Sequence, residues 1–360
     1  MTNGSGVNDH EYSEGDQTMG RRGDIHALII GSDKIASYKI GIEQPFRYLK
    51  ELGICSYDVT SEEGIQLSAM AAADVIIFFR TVKKEAYRCL EIAREMGKKT
   101  VYVIDDHFLA MSPATEIGSY YHEQSKRSTY IQFLRNVDIV KVASPFFAKH
   151  LATHFQPKHI VCFPGSVDFS VLDGLRKESK SDDTVVIGYE GGKKSIAFEP
   201  VIKALRSILR NYGQKVRIEF YGYVPEEFEG KPQVAFRQHN ADYKSFLKSL
   251  YRSNWDIGLA PLELTLLHDC KTNNKFREYG ACGIPGIYTC SPAYSEWVID
   301  HEDGLLVNQT KDAWYEALVE LIDHPELREK IKENADNKVR ECFSIETCAD
   351  QWHEQILLNG

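Results

Sequence analysis

Residues 255–289, WDIGLAPLELTLLHDCKTNNKFREYGACGIPGIYT, decide the fold. An apolar run (255–262) leads through a polar loop into a helix, where Phe276, Tyr279 and Cys282 form an apolar face at helical spacing. Gly283 suits the left-handed position just past a helix end, and Pro285 prevents continuation. GIYT (286–289) then begins another short apolar strand. Short apolar strands separated by helices predict a parallel sheet covered on both faces.

The alternation repeats on both sides of this stretch. Upstream lie IHALIIG (25–31), DVIIFFR (74–80), KTVYVID (99–105), DIVKVAS (138–144) and HIVCFPG (159–165), with helical periodicity over 83–96 and 119–134. A charged, polar run (173–184) interrupts the pattern, which restarts at TVVIGYEGG (184–192). KVRIEFYG (215–222), QVAFRQH (233–239) and GLLVN (304–308) follow, with helices near 199–211, 242–250, 311–322 and 325–341. The reading is α/β: two Rossmann-like domains, 24–168 and 184–342, joined by a linker at 169–183 that has almost nothing to bury. A polar, Gly-rich tail (1–23) is expected to be disordered, and an amphipathic helix (343–360) closes the chain.

Composition agrees with such a chain: 360 residues, 43% hydrophobic and 26% charged. The formal charge of -9 gives no basic footprint, so nucleic acid is excluded as a partner. The eight cysteines show no C-x-x-C pair and read as small apolar residues of a reducing compartment. No run is long and apolar enough to span a membrane, and the expected location is the cytoplasm. A peripheral contact with the inner face of the membrane, through a modest N-terminal-domain patch, fits the same sequence, although no basic amphipathic helix stands out. Oligomeric state is not legible.

Two facing Rossmann-like sheets bind ligands at the carboxyl ends of their strands, so residues directly after strands are the candidates. YEGGKKS (189–195) offers Gly191 and Gly192 for close backbone approach and Lys193 and Lys194 for phosphate. The same residues also make an ordinary turn with solvated lysines. At 270–278, Thr272, Asn273 or Asn274 can cap the helix, and Lys271 precedes the cap, free to swing over the helix start. Cations there oppose the helix dipole, and a bound diphosphate would offset that cost. Lys275 and Glu278 read either as a diphosphate cation and a ribose acceptor, or as a surface i,i+3 pair. Asp105, Asp106 and His107 follow a strand and suggest acid/base work or positioning of an acceptor hydroxyl; adjacent carboxylates diverge, which disfavours a metal. Gly31, Ser32 and Asp33 after the first strand, and Arg80 after DVIIFF, are candidates for the acceptor side of the cleft.

NNKFREYGACGIPGIYT and EWVIDHEDGLLVN (296–308), with the ordered strands upstream, resemble the family 4 glycosyltransferases of GT-B fold (group 1). CFPGSVDFS (162–170) is similar to that family's interdomain segment, with Gly165 and Ser166 departing from its usual P-N-G-V-D. The resemblance implies a cleft between two Rossmann-like domains and a C-terminal helix crossing back to the first. It implies a nucleotide-diphosphate-sugar donor on the C-terminal domain, and on the N-terminal domain an acceptor hydroxyl from a sugar, a lipid-linked intermediate or a small molecule. Transfer is expected with retention and without metal or other cofactor, in glycan or polysaccharide synthesis. Lys193 or Lys194 falls at the diphosphate, Glu278 on the second glutamate of the E-x7-E motif, and Asp105, Asp106 or His107 near a histidine that contacts the donor sugar. Asp106, His107 and Lys271 are thereby the catalytic candidates. Where the first glutamate belongs stands Cys270, beside Asp269, so the sugar is left unnamed. The alternatives are a non-catalytic GT-B subunit that binds a partner transferase or a glycan, and another GT-B enzyme such as a nucleotide-sugar epimerase or a phosphorylase.

Overall fold

A computed structural model of the chain describes residues 25–32, 35–177, 179–180, 183–193, 195–238, 240 and 242–358. The expected tail, Asp33 and Lys194 lie outside these residues.

The first domain is a six-stranded parallel sheet in the order β2-β1-β3-β4-β5-β6. Its strands are β1 (Ile25–Ile30), β2 (Cys55–Thr60), β3 (Val75–Phe79), β4 (Lys99–Val103), β5 (Ile139–Val142) and β6 (Ile160–Cys162). The second sheet is also parallel, in the order β12-β11-β10-β7-β8-β9. It comprises β7 (Val185–Glu190), β8 (Val216–Tyr221), β9 (Val234–Arg237), β10 (Ile257–Ala260), β11 (Gly286–Thr289) and β12 (Leu305–Val307). Central strands such as β3 are buried along their whole length, because helices cover both faces. Among the strands of the described residues, sequence reading missed β2, an edge strand whose Asp58 and Val59 are exposed and whose apolar pattern is therefore broken. The expected helix at 119–134 is two helices, Glu116–His122 and Gln124–Asn136, separated where Glu123 turns to extended dihedrals.

Each sheet has a switch point where strand order reverses, between β1 and β3 and between β7 and β10. Crevices open beyond the carboxyl ends of such strand pairs. The two switch points thus set the two halves of a cleft.

The segment expected as an idle linker packs instead. Leu172 is buried, and Phe169, Val171 and Leu175 lie against the C-terminal domain's core. Lys177 Nζ donates to the Gly283 carbonyl at 3.2 Å. The final helix, Ile345–Trp352, crosses back to the first domain. Trp352 meets Phe46 and Phe163 edge-on, with ring centroids 5.0 and 5.6 Å apart, and its indole N–H donates to the Gly41 carbonyl at 2.8 Å. A buried tryptophan with its N–H satisfied is a strong anchor, so the chain's end fastens the domain in which it began.

Candidate active site

The C-terminal half of the site is built around the helix Asn274–Ala281. Its end is a Schellman motif: Ile284 N–H donates to the Tyr279 carbonyl at 2.9 Å, and Gly283 N–H to that of Gly280 at 2.9 Å. Gly283 has φ +59°, as its position in the sequence predicts. Its start departs from expectation, because no side chain caps it. Asn273 is fully buried, and its Oδ1 accepts from Arg277 Nε at 3.1 Å. Asn273 therefore orients an arginine and is corrected from a donor-binding residue to a supporting one.

Lys275 sits one turn in, paired with Glu278 at 2.8 Å and with Glu190, the last residue of β7. Both carboxylates are buried, and the ammonium also lies 5.6 Å from the centre of the Phe246 ring. The surface i,i+3 pair thus exists in a different form, as a buried three-member cluster that joins the helix to the β7 switch point. Gly191 and Gly192 bend the chain away from β7, and Lys193 is exposed at this turn. The Gly191 N–H donates to the Tyr221 carbonyl at 3.0 Å, and the exposed Lys193, three residues after the buried Glu190 carboxylate, suits a phosphate beside a hydroxyl-bearing ring.

The N-terminal half forms where β3 and β4 end. Arg80 follows β3 with φ +56°, a conformation that costs energy for a non-glycine residue and persists at sites that surrounding structure determines. Its guanidinium is 3.2 Å from Asp105 and 3.8 Å from Asp106, and it stacks over Phe108. Burial opposes the guanidinium's charge, but Asp105 and Asp106 hold its pKa above the ordinary value. Burial pushes the Asp105 carboxyl up against the pull of Arg80. Its Oδ1 is buried without a hydrogen-bond partner among the described residues. Gly31, at φ +152°, brings the end of β1 so close to β3 that a Cβ there would lie 2.7 Å from the Phe79 carbonyl oxygen.

The two halves meet through Lys271, whose Nζ lies 3.0 Å from Asp106 Oδ1. The lysine that was expected to swing over its own helix start reaches across the cleft instead. Around this bridge lies a cavity of about 120 Å³, lined by Asp105, Asp106, Lys141, Lys271, Thr272 and Arg277 among others. A larger hollow, about 580 Å³, opens in the N-terminal domain at the β1/β3 switch point. Gly31, Ser32 and Arg80 line it together with Glu62, Tyr120 and Tyr121, so three of the acceptor-side candidates share one pocket, while Asp105 lines the smaller cavity.

His107 does not join this site, which corrects its place among the catalytic candidates. Its ring is buried beside His150 and Phe147, at centroid distances of 4.8 and 5.4 Å. Burial, reinforced by His150 and His154, lowers its pKa to about 4, so it is neutral at neutral pH. Cys270 is likewise buried, in the N-terminal domain's core cluster with Phe108 and Tyr130, and burial raises its thiol pKa to about 12. The position of the missing glutamate is therefore an apolar contact between the domains. Sequence reading overlooked Lys141 and gave Arg277 no role. The available signal was a lysine inside DIVKVAS, a strand otherwise fit for burial on both faces. Among the described residues, no group of three or more His, Cys, Asp or Glu is placed to hold a metal ion, and no helix is long and apolar enough to cross a membrane.

Residues 275–338 match the family described as glycosyl transferases group 1. No curated protein matches the chain. Among solved structures, Anabaena HepE in complex with UDP and glucose is similar with a TM-score of 0.65 and 14% identity, over 92% of this chain and 99% of that one. A glycosyltransferase from Rickettsia africae is similar with a TM-score of 0.67 and 13% identity, over 94% and 100% of the two chains. For sucrose-phosphate synthase from Thermosynechococcus elongatus the values are 0.67 and 14%, over 92% and 98%. These likenesses show the GT-B fold along nearly the whole chain, and with the group 1 segment they support a glycosyltransferase.

Proposed function

We propose that this chain moves a sugar from a nucleotide-diphosphate-sugar donor to a hydroxyl acceptor, with retention of anomeric configuration and without a metal. The observation that carries the reading is the Glu190–Lys275–Glu278 cluster beside the exposed Gly191–Gly192–Lys193 turn. It sets an exposed lysine and two glycines, suited to a diphosphate, beside a buried carboxylate suited to a ribose. Negative charge develops on the leaving diphosphate during transfer, and Lys193, Lys271, Thr272 and the amides of the helix start are the groups near enough to stabilise it. Asp106, held by Lys271 and Arg80, positions the acceptor hydroxyl, which enters from the pocket of Gly31, Ser32 and Arg80. In a retaining reaction of this kind the hydroxyl attacks on the leaving-group side and gives its proton to the departing phosphate oxygen.

HepE binds UDP and UDP-glucose, which makes UDP-glucose the first donor to test. A ligand bound only by the folded state raises the melting temperature. UDP, GDP, ADP and dTDP are expected to differ, with one giving a clear rise. Absence of any shift, together with absence of hydrolysis across the matching sugar nucleotides, would sink the reading. The buried Cys270 favours a second reading, a binding subunit without transfer. Nucleotide binding with no transfer or hydrolysis would select it.

A further inference from the structure

Lys141 stands out because β5 is an interior strand and its other residues are apolar. The lysine is 3% exposed. Its Nζ lies 4.3 Å from the centre of the Phe163 ring and 5.9 Å from that of Trp352, with no hydrogen-bond or carboxylate partner among the described residues. Burying an ammonium group without a partner is costly, and ring faces offset only part of that cost. Burial lowers its pKa and Arg277 works in the same direction, against the opposing pull of Cys348, Cys162 and Asp105.

Arg277 is the second buried cation of the same cavity. Its donors are met by neutral acceptors: Asn273 Oδ1, Asn274 Oδ1, and the carbonyls of Gly165 and Ser166. Its charge is therefore held but not balanced. The two carboxylates on the cavity wall are already committed, Asp105 to Arg80 and Asp106 to Lys271 and Arg80. Four cations face two carboxylates, and the surplus lies on Lys141 and Arg277. The start of the Asn274–Ala281 helix, which carries partial positive charge, lines the same space.

We propose that this cavity is an oxyanion subsite, and that the acceptor sugar carries a phosphate or a carboxylate which pairs with Lys141. The inference rests on the glycosyltransferase reading for its word "acceptor". The oxyanion is assigned to the acceptor because most of the lining, from Ser37 and Ile40 to Phe79, Val103 and Lys141, belongs to the N-terminal domain. The Glu190–Lys275–Glu278 cluster, proposed for the donor, does not line it, whereas Lys271, Thr272 and the helix start, assigned above to the leaving diphosphate, form its border with the donor side. Lys141 is thus a specificity-determining residue for a sugar acid over a neutral sugar.

The test is thermal melting of the full chain and of Lys141→Met with glucose, glucose 6-phosphate, glucuronate or UDP. Glucose 6-phosphate or glucuronate is expected to raise the wild-type Tm by about 2 °C or more at saturation, and glucose is not. The sugar acid that acts names the source of the oxyanion. In Lys141→Met that rise disappears, the UDP rise stays, and the ligand-free variant melts no lower than wild type, because an uncompensated charge has been replaced by an apolar group of similar length. Silence of both sugar acids on the wild type overturns the proposal. So does a shift that survives in Lys141→Met, or a variant that fails to fold or melts well below wild type, which makes the amine structural. Joint loss of the UDP and sugar-acid shifts also overturns it, placing the cavity within the diphosphate site. UDP silence on the wild type, with a sugar-acid shift intact, counts against the donor reading and not against the subsite.

Discussion

Lys271 and Lys275 stand four residues apart at the start of one helix, yet they perform different duties. Lys275 lies between Glu190 and Glu278, all three within the C-terminal domain and shielded from solvent. Lys271 is more open, its side chain 35% exposed, and its partner Asp106 belongs to the other domain. A shielded ion cluster is strongly coupled to folding, since removal of one member strands the others. A part-exposed bridge adds little to stability but fixes how the two halves of the cleft meet. The same residue type thus serves the architecture of one domain and the geometry between two.

The sharpest way to break this comparison is Lys275→Met. It leaves two buried carboxylates facing each other, and is expected to cost about 3–5 kcal/mol of stability, read by denaturant unfolding, and to abolish nucleotide-diphosphate binding. A loss below about 1 kcal/mol would make the two lysines equivalent. Lys271→Met is expected to reduce kcat about 100-fold, near 2.7 kcal/mol of transition-state stabilisation, with stability changed by less than about 1 kcal/mol. Steady-state kinetics beside a melting curve separate the two effects, and an unfolded variant would refute the assignment.

A third contrast lies just behind Asp106. His107 has its folded pKa near 4, below the unfolded value of about 6.5. The unfolded chain therefore binds the proton more tightly, and stability falls as pH drops through 6.5 towards 4. Between pH 7 and pH 5 the loss from this group is about 2 kcal/mol, and it should vanish in His107→Leu. Equal pH slopes in wild type and variant would remove His107 as the cause. The smallest effect is expected from Lys193→Ala, an exposed cation whose loss should weaken UDP about three- to tenfold in calorimetric titration without moving the Tm of the free protein.

Much of the fold was legible because burial on both faces leaves long apolar runs, and β3 and β7 could be read from their residues alone. The glycine stop at Gly283 was legible for a similarly local reason, since few residues other than glycine adopt φ +59°. β2 was hidden because an edge strand alternates with polar residues. The helix break at Glu123 was hidden because nothing in its neighbours' propensities demands it.

For the candidate site, sequence determined which loops follow the strand ends of the two switch points: the turn after β7, the helix start after β10, the ends of β1, β3 and β4. These follow from strand order, which local pattern encodes. Partnership was decided by the tertiary structure alone. Asp106 meets Lys271 across 165 positions of chain, His107 turns into a core, Cys270 seals a domain contact, and Lys141 faces Arg277 in one cavity. A charge's role depends on what lies within a few ångströms of it and on how much water remains there. Both are properties of packing between segments distant in sequence, and no local spacing carries them.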